Sequence, residues 1–420
     1  MGWGKSEGKD EMVVIAGVGV VSSLGIGRDE FWQALRQSKC GLGPITLFDT
    51  SNFENKIAGE VKNFQPQQIL GEKRLIDLDR SSLLLLSGVK LALEDAKFTI
   101  NEDDSYKVGI VVGTTFGSFT SISKFMQESL TEGPRYVNPS IFPNVVVNSP
   151  ASRVSIKFNI KGPCTTLSTG ICAGLDAISY AQNLITETSN LDVFLAGCVE
   201  DLSLFVFLGF RRLECLAKGE EIQSLCFPFD KRRNGIVLSE GAAVLLLCRE
   251  DTAKERKFPI YARVLGFGSC FDPNKFYRYN LQGEGLKKAM GEALDSAGLL
   301  AQDIDCIFAN ANSTKDGDLM ESKAIKEVFG EHAYKIPITA PKSALGEPLS
   351  AWGGLGVASS LLTLKEDVIP PILNYKEKDP DCDLNYVVEK PLKKKVSKVM
   401  INASDPNGFN TSLILGKYTD

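Results

Sequence analysis

Cys172 is the residue whose position points most directly to covalent chemistry. It lies in the segment 167–176, where small residues precede it and a long helical pattern begins at the cysteine. Backbone N–H groups and the helix dipole at such a helix start lower the pKa of a thiol. By residue type alone, Cys172 is a candidate nucleophile.

A nucleophilic cysteine needs a base close to it, most often a histidine. The sequence contains one histidine, His332, at the end of a predicted surface helix. We interpret it as an exposed residue at a helix end, and this leaves Cys172 without an evident base.

Buried strands and amphipathic helices alternate along the chain and must position these residues. Runs rich in apolar and β-branched residues predict strands at 12–16, 108–112, 193–196, 242–248, 304–309, 399–402 and 413–415. Apolar residues at i, i+3 and i+4 predict helices at 80–96, 172–185, 284–296 and 318–329. Alternation of this kind is typical of an α/β architecture with covered sheets.

Strand–loop–helix units occur on both sides of a charged stretch at 249–257. The pattern indicates two similar halves packed together, although no clear sequence repeat joins them. We therefore expect an N-terminal half at 12–255, a C-terminal half at 256–420, and a flexible segment at 1–11.

Bulk composition excludes several classes of function. The 420 residues are 43% hydrophobic and 24% charged, as in a globular chain, and the net charge of −5 gives no reason to expect nucleic acid or an anionic membrane as a partner. Ten cysteines are scattered singly, so we expect reduced core thiols and neither a metal nor a cofactor. The absence of a signal core in residues 1–11 and of a run of about 20 apolar residues predicts a soluble cytoplasmic protein.

Several ordered segments carry a resemblance to a known family. They are residues 13–22, 57–61, 78–80, 226–231, 235–241 and 402–413. On these segments the chain resembles the β-ketoacyl synthases, the condensing enzymes of fatty-acid and polyketide synthesis. The resemblance implies a thiolase-type α/β fold, with two similar halves in a five-layer αβαβα arrangement and a dimer formed through the first half.

The resemblance also implies which positions would hold the catalytic triad, and each is substituted. Ile171 stands at the nucleophilic cysteine, Asn310 at the first histidine and Glu347 at the second, whereas the family's lysine is kept as Lys342. In place of a Gly-Phe-Gly-Gly gate, the chain has residues 405–408, Asp-Pro-Asn-Gly.

These substitutions remove the chemistry. Isoleucine offers no nucleophile, asparagine cannot cycle a proton near neutral pH, and a glutamate would repel a developing enolate. Lys342 can neutralise Glu347, and Pro406 stiffens the gate. Cys172 lies one place after the family's nucleophile, and one residue turns the direction of a helical side chain by about 100°. We therefore assign Cys172 to packing.

Among degenerate members of the family, the segment 173–177, Ala-Gly-Leu-Asp-Ala, resembles that of chain-length factors of type II polyketide synthases. This implies a 1:1 heterodimer with a catalytic ketosynthase subunit, which supplies the Cys-His-His site and most of the surface for the acyl carrier protein.

A helix in this group bounds the substrate tunnel. The resemblance places the chain-length gate at Phe119, Ile122 and Met126, which stand at i, i+3 and i+7, with Phe116 in the turn before them. On periodicity alone, the same residues form an ordinary apolar core stripe.

Two alternatives stay open at this point. The chain could be an autonomous ketosynthase or acyltransferase that uses Cys172, which predicts alkylation of this thiol and activity without a second subunit. It could also be a regulatory homodimer that binds an acyl chain without setting its length.

Overall fold

The computed structural model describes residues 12–71, 75, 78–188, 190–219, 221–222 and 225–419. The segment 1–11, which we expect to be flexible, lies outside the described residues. The strands are β1 Val13–Ser22, β2 Gly25–Ile26, β3 Gly43–Pro44, β4 Ile57–Ala58, β5 Val108–Gly113, β6 Cys164–Leu167, β7 Val193–Glu200, β8 Gly241–Arg249, β9 Ala262–Phe271, β10 Cys306–Phe308, β11 Ile338–Thr339, β12 Val368–Ile369, β13 Leu392–Lys393, β14 Lys398–Ser404 and β15 Phe409–Lys417.

The α-helices are α1 Arg28–Arg36, α2 Pro66–Leu70, α3 Arg80–Asp95, α4 Phe119–Thr131, α5 Ser149–Phe158, α6 Ala173–Glu187, α7 Leu204–Arg212, α8 Glu250–Arg256, α9 Glu284–Ala297, α10 Lys315–Phe329, α11 Lys342–Leu345 and α12 Trp352–Glu366. Short 3₁₀ turns include Pro139–Asn144, Gly170–Cys172, Ala301–Asp303, Gly330–Tyr334 and Leu349–Ala351. Several helices start at a side-chain cap; the Asp79 carboxylate, for example, accepts the Ser82 N–H at 3.0 Å before α3.

The strand order of the large sheet repeats itself. The order is β11-β10-β14-β15-β9-β1-β8-β7-β5-β6, and β1 and β9 join the two sets. From β1 outward, the pairings are antiparallel, antiparallel, parallel and parallel. From β9 outward, the same sequence of pairings occurs. The expectation of two similar α/β halves is confirmed.

Two buried helices, α6 and α12, lie against each other between the two sets of strands, while α3 packs on β1 and α9 packs on β9 on the outer faces. The helices α6 and α12 cross at glycines: a Cβ atom on Gly353 would lie 2.4 Å from the carbonyl carbon of Gly174. Only residues without a side chain allow this approach. The result is the predicted five-layer αβαβα arrangement.

Most predicted elements are present, and the structure lengthens several of them. The predicted strand at 12–16 extends to Ser22 because every residue of β1 is buried. The expectation that all cysteines are core thiols is wrong for Cys40 and Cys164, which are exposed, and for Cys215 and Cys270, which are only partly buried. All ten cysteines are free, as the sequence indicates. Within the described residues, no helix combines the length and the apolar character that a bilayer span requires.

Candidate functional site

The turn before α6 carries the first of the substituted positions. Gly170 has a φ of +60°, a backbone conformation that L side chains rarely adopt, and a Cβ atom there would lie 2.2 Å from an Asp405 carboxylate oxygen. Ile171 follows with its side chain buried in the core. The turn therefore presents a backbone N–H group at this position but no nucleophilic side chain.

Cys172 points into the protein interior. Its side chain is fully buried, and its Sγ donates to the carbonyl oxygen of Ala403 at 3.4 Å. Burial raises the pKa of this thiol well above its ordinary value, because the apolar surroundings disfavour the thiolate. The helix N-terminus does not offset this penalty, so Cys172 has the character of a packing residue.

Asn310, Lys342 and Glu347 form one buried cluster. The Lys342 ammonium donates to Asn310 Oδ1 at 2.9 Å and to Glu347 Oε2 at 3.0 Å. It also lies 5.0 Å from the ring centre of Trp352, at the start of α12. Lys342 and Glu347 are 0% and 1% exposed, so the two charges neutralise each other out of contact with water.

Neighbouring polar groups complete this cluster. Glu347 Oε2 accepts a second hydrogen bond from the Asn312 amide at 3.1 Å, and Glu347 Oε1 accepts from the backbone N–H of Leu349 at 3.0 Å. The Asn310 amide donates to the carbonyl of Ser404 at 3.2 Å. Each of the three polar side chains has partners within the protein, so none of them offers a free acid or base to a substrate.

The loop at 310–313 is held by two buried carboxyl groups of α10. Glu321 accepts the backbone N–H groups of Asn310 and Ala311 at 3.0 and 2.8 Å, and Asp318 accepts those of Asn312 and Ser313 at 3.0 and 3.2 Å. Burial raises the pKa of Glu321 to about 7 and that of Asp318 to about 6. These carboxyls therefore hold the backbone of the loop in place.

The turn at 405–408 closes the site from the C-terminal half. Asp405 Oδ2 accepts the backbone N–H of Ile171 at 3.1 Å, and Asp405 Oδ1 accepts both the backbone and side-chain N–H groups of Asn407 at 2.8 Å. Pro406 has no N–H to offer. Burial raises the pKa of the Asp405 carboxyl, and the N–H donors oppose that effect.

Two tyrosines of the loop after β9 cover the same site. The backbone N–H of Tyr277 donates to Asn407 Oδ1 at 3.3 Å, and the Tyr279 hydroxyl accepts from the Asn312 amide at 3.5 Å. The Tyr277 ring contacts Phe210 of α7 edge to face, with ring centroids 6.1 Å apart. Neither tyrosine was predicted from the sequence as a site residue, although two tyrosines one residue apart, at 277 and 279, form a visible aromatic pattern.

The single histidine takes no part in the site. His332 lies in the 3₁₀ turn after α10, with Nε2 3.3 Å from the carbonyl oxygen of Ile304 and its ring stacked on Phe329. The 15 residues of α10 span about 22 Å, and they separate His332 from the Asn310 loop. No histidine is thus available as a base for Cys172.

The four predicted gate positions do not share one environment. Phe116 and Phe119 are partly buried against the main core, with ring centroids 5.6 Å apart, and Phe116 lies 6.4 Å from Phe210. Ile122 is half-buried, whereas Met126 is 58% exposed at the surface of this single chain. The helix therefore runs from the aromatic cluster near the site outward to the surface.

Thr120 and Ser121 anchor the start of α4 on two carboxyl groups, buried Asp201 and half-buried Asp79. The Thr120 hydroxyl donates to Asp201, and the Ser121 hydroxyl donates to Asp79 at 3.2 Å. Burial raises the pKa of Asp201 to about 7. No group of three or more His, Cys, Asp or Glu side chains in the described ranges is arranged to hold a metal ion.

Comparison with known families places the whole chain in one group. Residues 10–253 match the N-terminal domain of β-ketoacyl synthases, and residues 261–376 match the C-terminal domain. The 3-oxoacyl-(acyl-carrier-protein) synthase 2 of Coxiella burnetii is 35% identical over 410 residues, which cover 97% of this chain and 99% of that protein. The synthase of the same name from Synechocystis is 30% identical over 407 residues, 97% and 98% of the two chains.

Solved structures of similar proteins superimpose over nearly the full length. A structure of the ishigamide ketosynthase/chain length factor gives a TM-score of 0.89 at 32% identity, covering 97% of this chain and 100% of that chain. The type II polyketide synthase complex AntDE:AntF, an acyl-carrier protein with its ketosynthase bound to the hexaketide, gives 0.88 at 26% identity with the same coverage.

Proposed function

Because the chain belongs to the β-ketoacyl synthase family, we propose that it takes part in carrier-protein-dependent chain elongation as a non-catalytic chain-length factor. In this role it pairs one-to-one with an active ketosynthase and bounds the tunnel that the growing chain fills. The reaction is a decarboxylative Claisen condensation, and the partner supplies the Cys-His-His site for it.

The buried cluster of Asn310, Lys342 and Glu347 is the observation that carries this proposal. Its polar atoms are satisfied by one another, at 2.9 and 3.0 Å from the Lys342 ammonium, and the neighbouring Ile171 side chain is packed in the core. A site that awaits a substrate keeps donors and acceptors free for it. The arrangement here supports a structural role for the former catalytic positions.

The N-terminal half offers a surface for a partner chain. Strand β6 lies at the end of the sheet order and contacts α5, which in turn contacts the 3₁₀ turn Pro139–Asn144, and that turn contacts α4. These three elements carry the exposed apolar residues Leu130, Phe142 and Ile156, and Tyr136 is exposed in the segment between α4 and the turn. An open sheet edge beside an apolar face is a surface that proteins normally cover, which supports dimer formation through this half.

The comparisons support both the reaction and the type of partner. The ishigamide relative is a ketosynthase/chain length factor, and AntDE:AntF is a ketosynthase with its acyl-carrier protein. The relatives from Coxiella and Synechocystis are named as synthases, which are catalysts. An autonomous catalyst based on Cys172 is not supported here, because its thiol is fully buried and has a raised pKa.

Carrier-protein docking is assigned mainly to the catalytic partner. The net charge of −5 gives this chain no long-range attraction for an acidic carrier protein. The Tyr277 backbone and the Tyr279 hydroxyl also contact Asn407 and Asn312 at this site, which supports entry of a carrier-bound substrate through the partner.

Co-expression with the cognate ketosynthase tests the partnership. We expect a stable 1:1 complex on size-exclusion chromatography with multi-angle light scattering. Tyr136→Glu should weaken the complex without unfolding the chain, since Tyr136 is 75% exposed on the proposed interface. The matched change Leu300→Glu, at a residue 63% exposed in the second half, should leave the complex intact. A stable homodimer that excludes the ketosynthase, or equal effects of both changes, would contradict the proposal.

Product length in the reconstituted complex tests the gate. Phe119→Ala should lengthen the product, because removing the ring opens the first turn of α4 and lets the chain advance toward Ile122, one turn of about 5.4 Å further along. Phe125→Ala is the matched control, since Phe125 lies on the same helix but packs against Phe142 with ring centroids 6.0 Å apart. Identical products from the Phe119→Ala complex and the unaltered complex would argue against the gate.

A further inference from the structure

We propose that the Asp405 carboxylate is a built-in anion that occupies the backbone N–H of Ile171 and keeps this site closed to a reacting carbonyl. The proposal goes beyond a chain-length role, which needs only the missing nucleophile. It states that the turn at 405–408 enforces inactivity independently of the residue at position 171.

The Asp405 carboxylate lies where the oxyanion of a reacting carbonyl would accept a hydrogen bond from the Ile171 N–H. A backbone N–H at the start of a helix stabilises negative charge, both as a hydrogen-bond donor and through the helix dipole. The helix that follows this turn is α6, which is 15 residues long. Asp405 Oδ2 takes this donor at 3.1 Å. Any carbonyl oxygen that needed the Ile171 N–H would have to displace a negatively charged competitor already in place.

The local backbone holds Asp405 in this position. Its Oδ1 accepts two hydrogen bonds from Asn407, each at 2.8 Å, and its own backbone pairs with Phe409 at 2.8 Å and Gly408 at 2.9 Å. Gly170 provides the space, because a Cβ atom at that position would overlap the carboxylate. The carboxylate therefore cannot swing away without breaking several hydrogen bonds at once.

The turn at 405–408 also lacks a second free backbone N–H that could stabilise an oxyanion. A second backbone N–H would have to come from residues 405–408, which face the turn at Gly170 and Ile171. Pro406 in that segment has no N–H. The Asn407 N–H groups are already used by Asp405. The site thus has neither a free donor for an oxyanion nor a route to recruit one while Asp405 is present.

A restored thiol tests the proposal directly. Ile171→Cys places sulfur beside Asp405, and the carboxylate should raise the pKa of the new thiol and suppress its reaction with iodoacetamide. Replacing Asp405 in the same chain, as I171C/D405G, should increase the alkylation rate at pH 7.5 by about tenfold or more, the change in thiolate fraction for one pKa unit. Tandem mass spectrometry of the full chain distinguishes residue 171 from Cys172.

Two further variants make the result decisive. I171C/D405N removes the charge at 405 but keeps the side-chain volume, so it covers the case in which glycine at 405 disturbs folding. I171C/D103G is the control, because it makes the same aspartate-to-glycine change at an exposed position elsewhere. Faster alkylation at 171 in a 405 variant with an unaltered circular dichroism spectrum supports the proposal. Rates within twofold of I171C in both 405 variants overturn it. No partner or carrier protein is needed, so this outcome is independent of the chain-length proposal.

Discussion

Removing the ammonium of Lys342 should destabilise the chain strongly. Lys342→Met keeps most of the apolar stem but leaves the Glu347 carboxylate, 1% exposed, without its cation. The hydrogen bonds from Asn312 and Leu349 remain. Breaking one side of a buried ion pair costs about 3–5 kcal/mol, because the surviving charge is left uncompensated out of water. We expect this loss in the free energy of unfolding at pH 7.

The double variant separates the charge effect from packing. Lys342→Met with Glu347→Gln removes both charges at nearly constant volume, so its cost should fall below the sum of the single changes by about 1–3 kcal/mol. The matched surface control is the pair Lys288 and Glu292, 3.3 Å apart and 64% and 39% exposed. Lys288→Met should cost no more than about 0.5 kcal/mol.

Urea unfolding provides the measurement. Tryptophan fluorescence and far-ultraviolet circular dichroism should be followed together, because a midpoint converts to a free energy only where both transitions coincide. A loss of unfolding free energy for Lys342→Met no larger than that for Lys288→Met would refute a buried ion pair. Additive losses for the changes at 342 and 347, without coupling, would refute it as well. Either result would mean that Lys342 and Glu347 are solvated and do not form a buried ion pair.

Three further predictions concern pH, the turn and the thiol. Burial raises the pKa of Asp201 from 3.8 to about 7, so its stabilising protonation is complete below pH 4 and is lost as the pH rises through 7. Asp201→Asn should flatten the fall in unfolding free energy between pH 4 and 7 by up to about 1.4 kcal/mol per pH unit; exposed Asp103→Asn should not, and parallel slopes would refute this assignment. Gly170→Ala should destabilise the chain in urea by more than about 2 kcal/mol, because a clash adds to the backbone strain. Gly298 has a φ of +64° and open space around a Cβ atom, so Gly298→Ala should cost only the backbone strain. Equal losses of unfolding free energy for the two glycine changes would contradict a closed turn at Gly170. Cys172 should react with iodoacetamide only after unfolding, as mass spectrometry can establish; labelling of the folded chain would restore it as a nucleophile.

The sequence predicted the α/β elements in two similar sets because its signals are local and repeated, and the family resemblance added the five-layer order. Buried runs such as the one at β8 and amphipathic helices such as α9 carry their periodicity in the chain itself. The matching order of strand pairings in the two halves follows from the repeated units. The resemblance to the β-ketoacyl synthases predicts catalytic positions at 171, 310 and 347, and the residue types there then exclude a nucleophile and a base.

Only the tertiary structure decided which contacts the predicted catalytic positions make. Ile171 and Asp405 are 234 positions apart in sequence, and no local pattern predicts that the carboxylate of one accepts the N–H of the other. The same holds for Tyr279 over Asn312, and for the inward direction of Cys172. Such contacts depend on how the two halves pack, because hydrogen bonds between distant residues are set by the fold and not by periodicity. The sequence thus specified the residue types at these positions, and the packing of the halves specified their contacts.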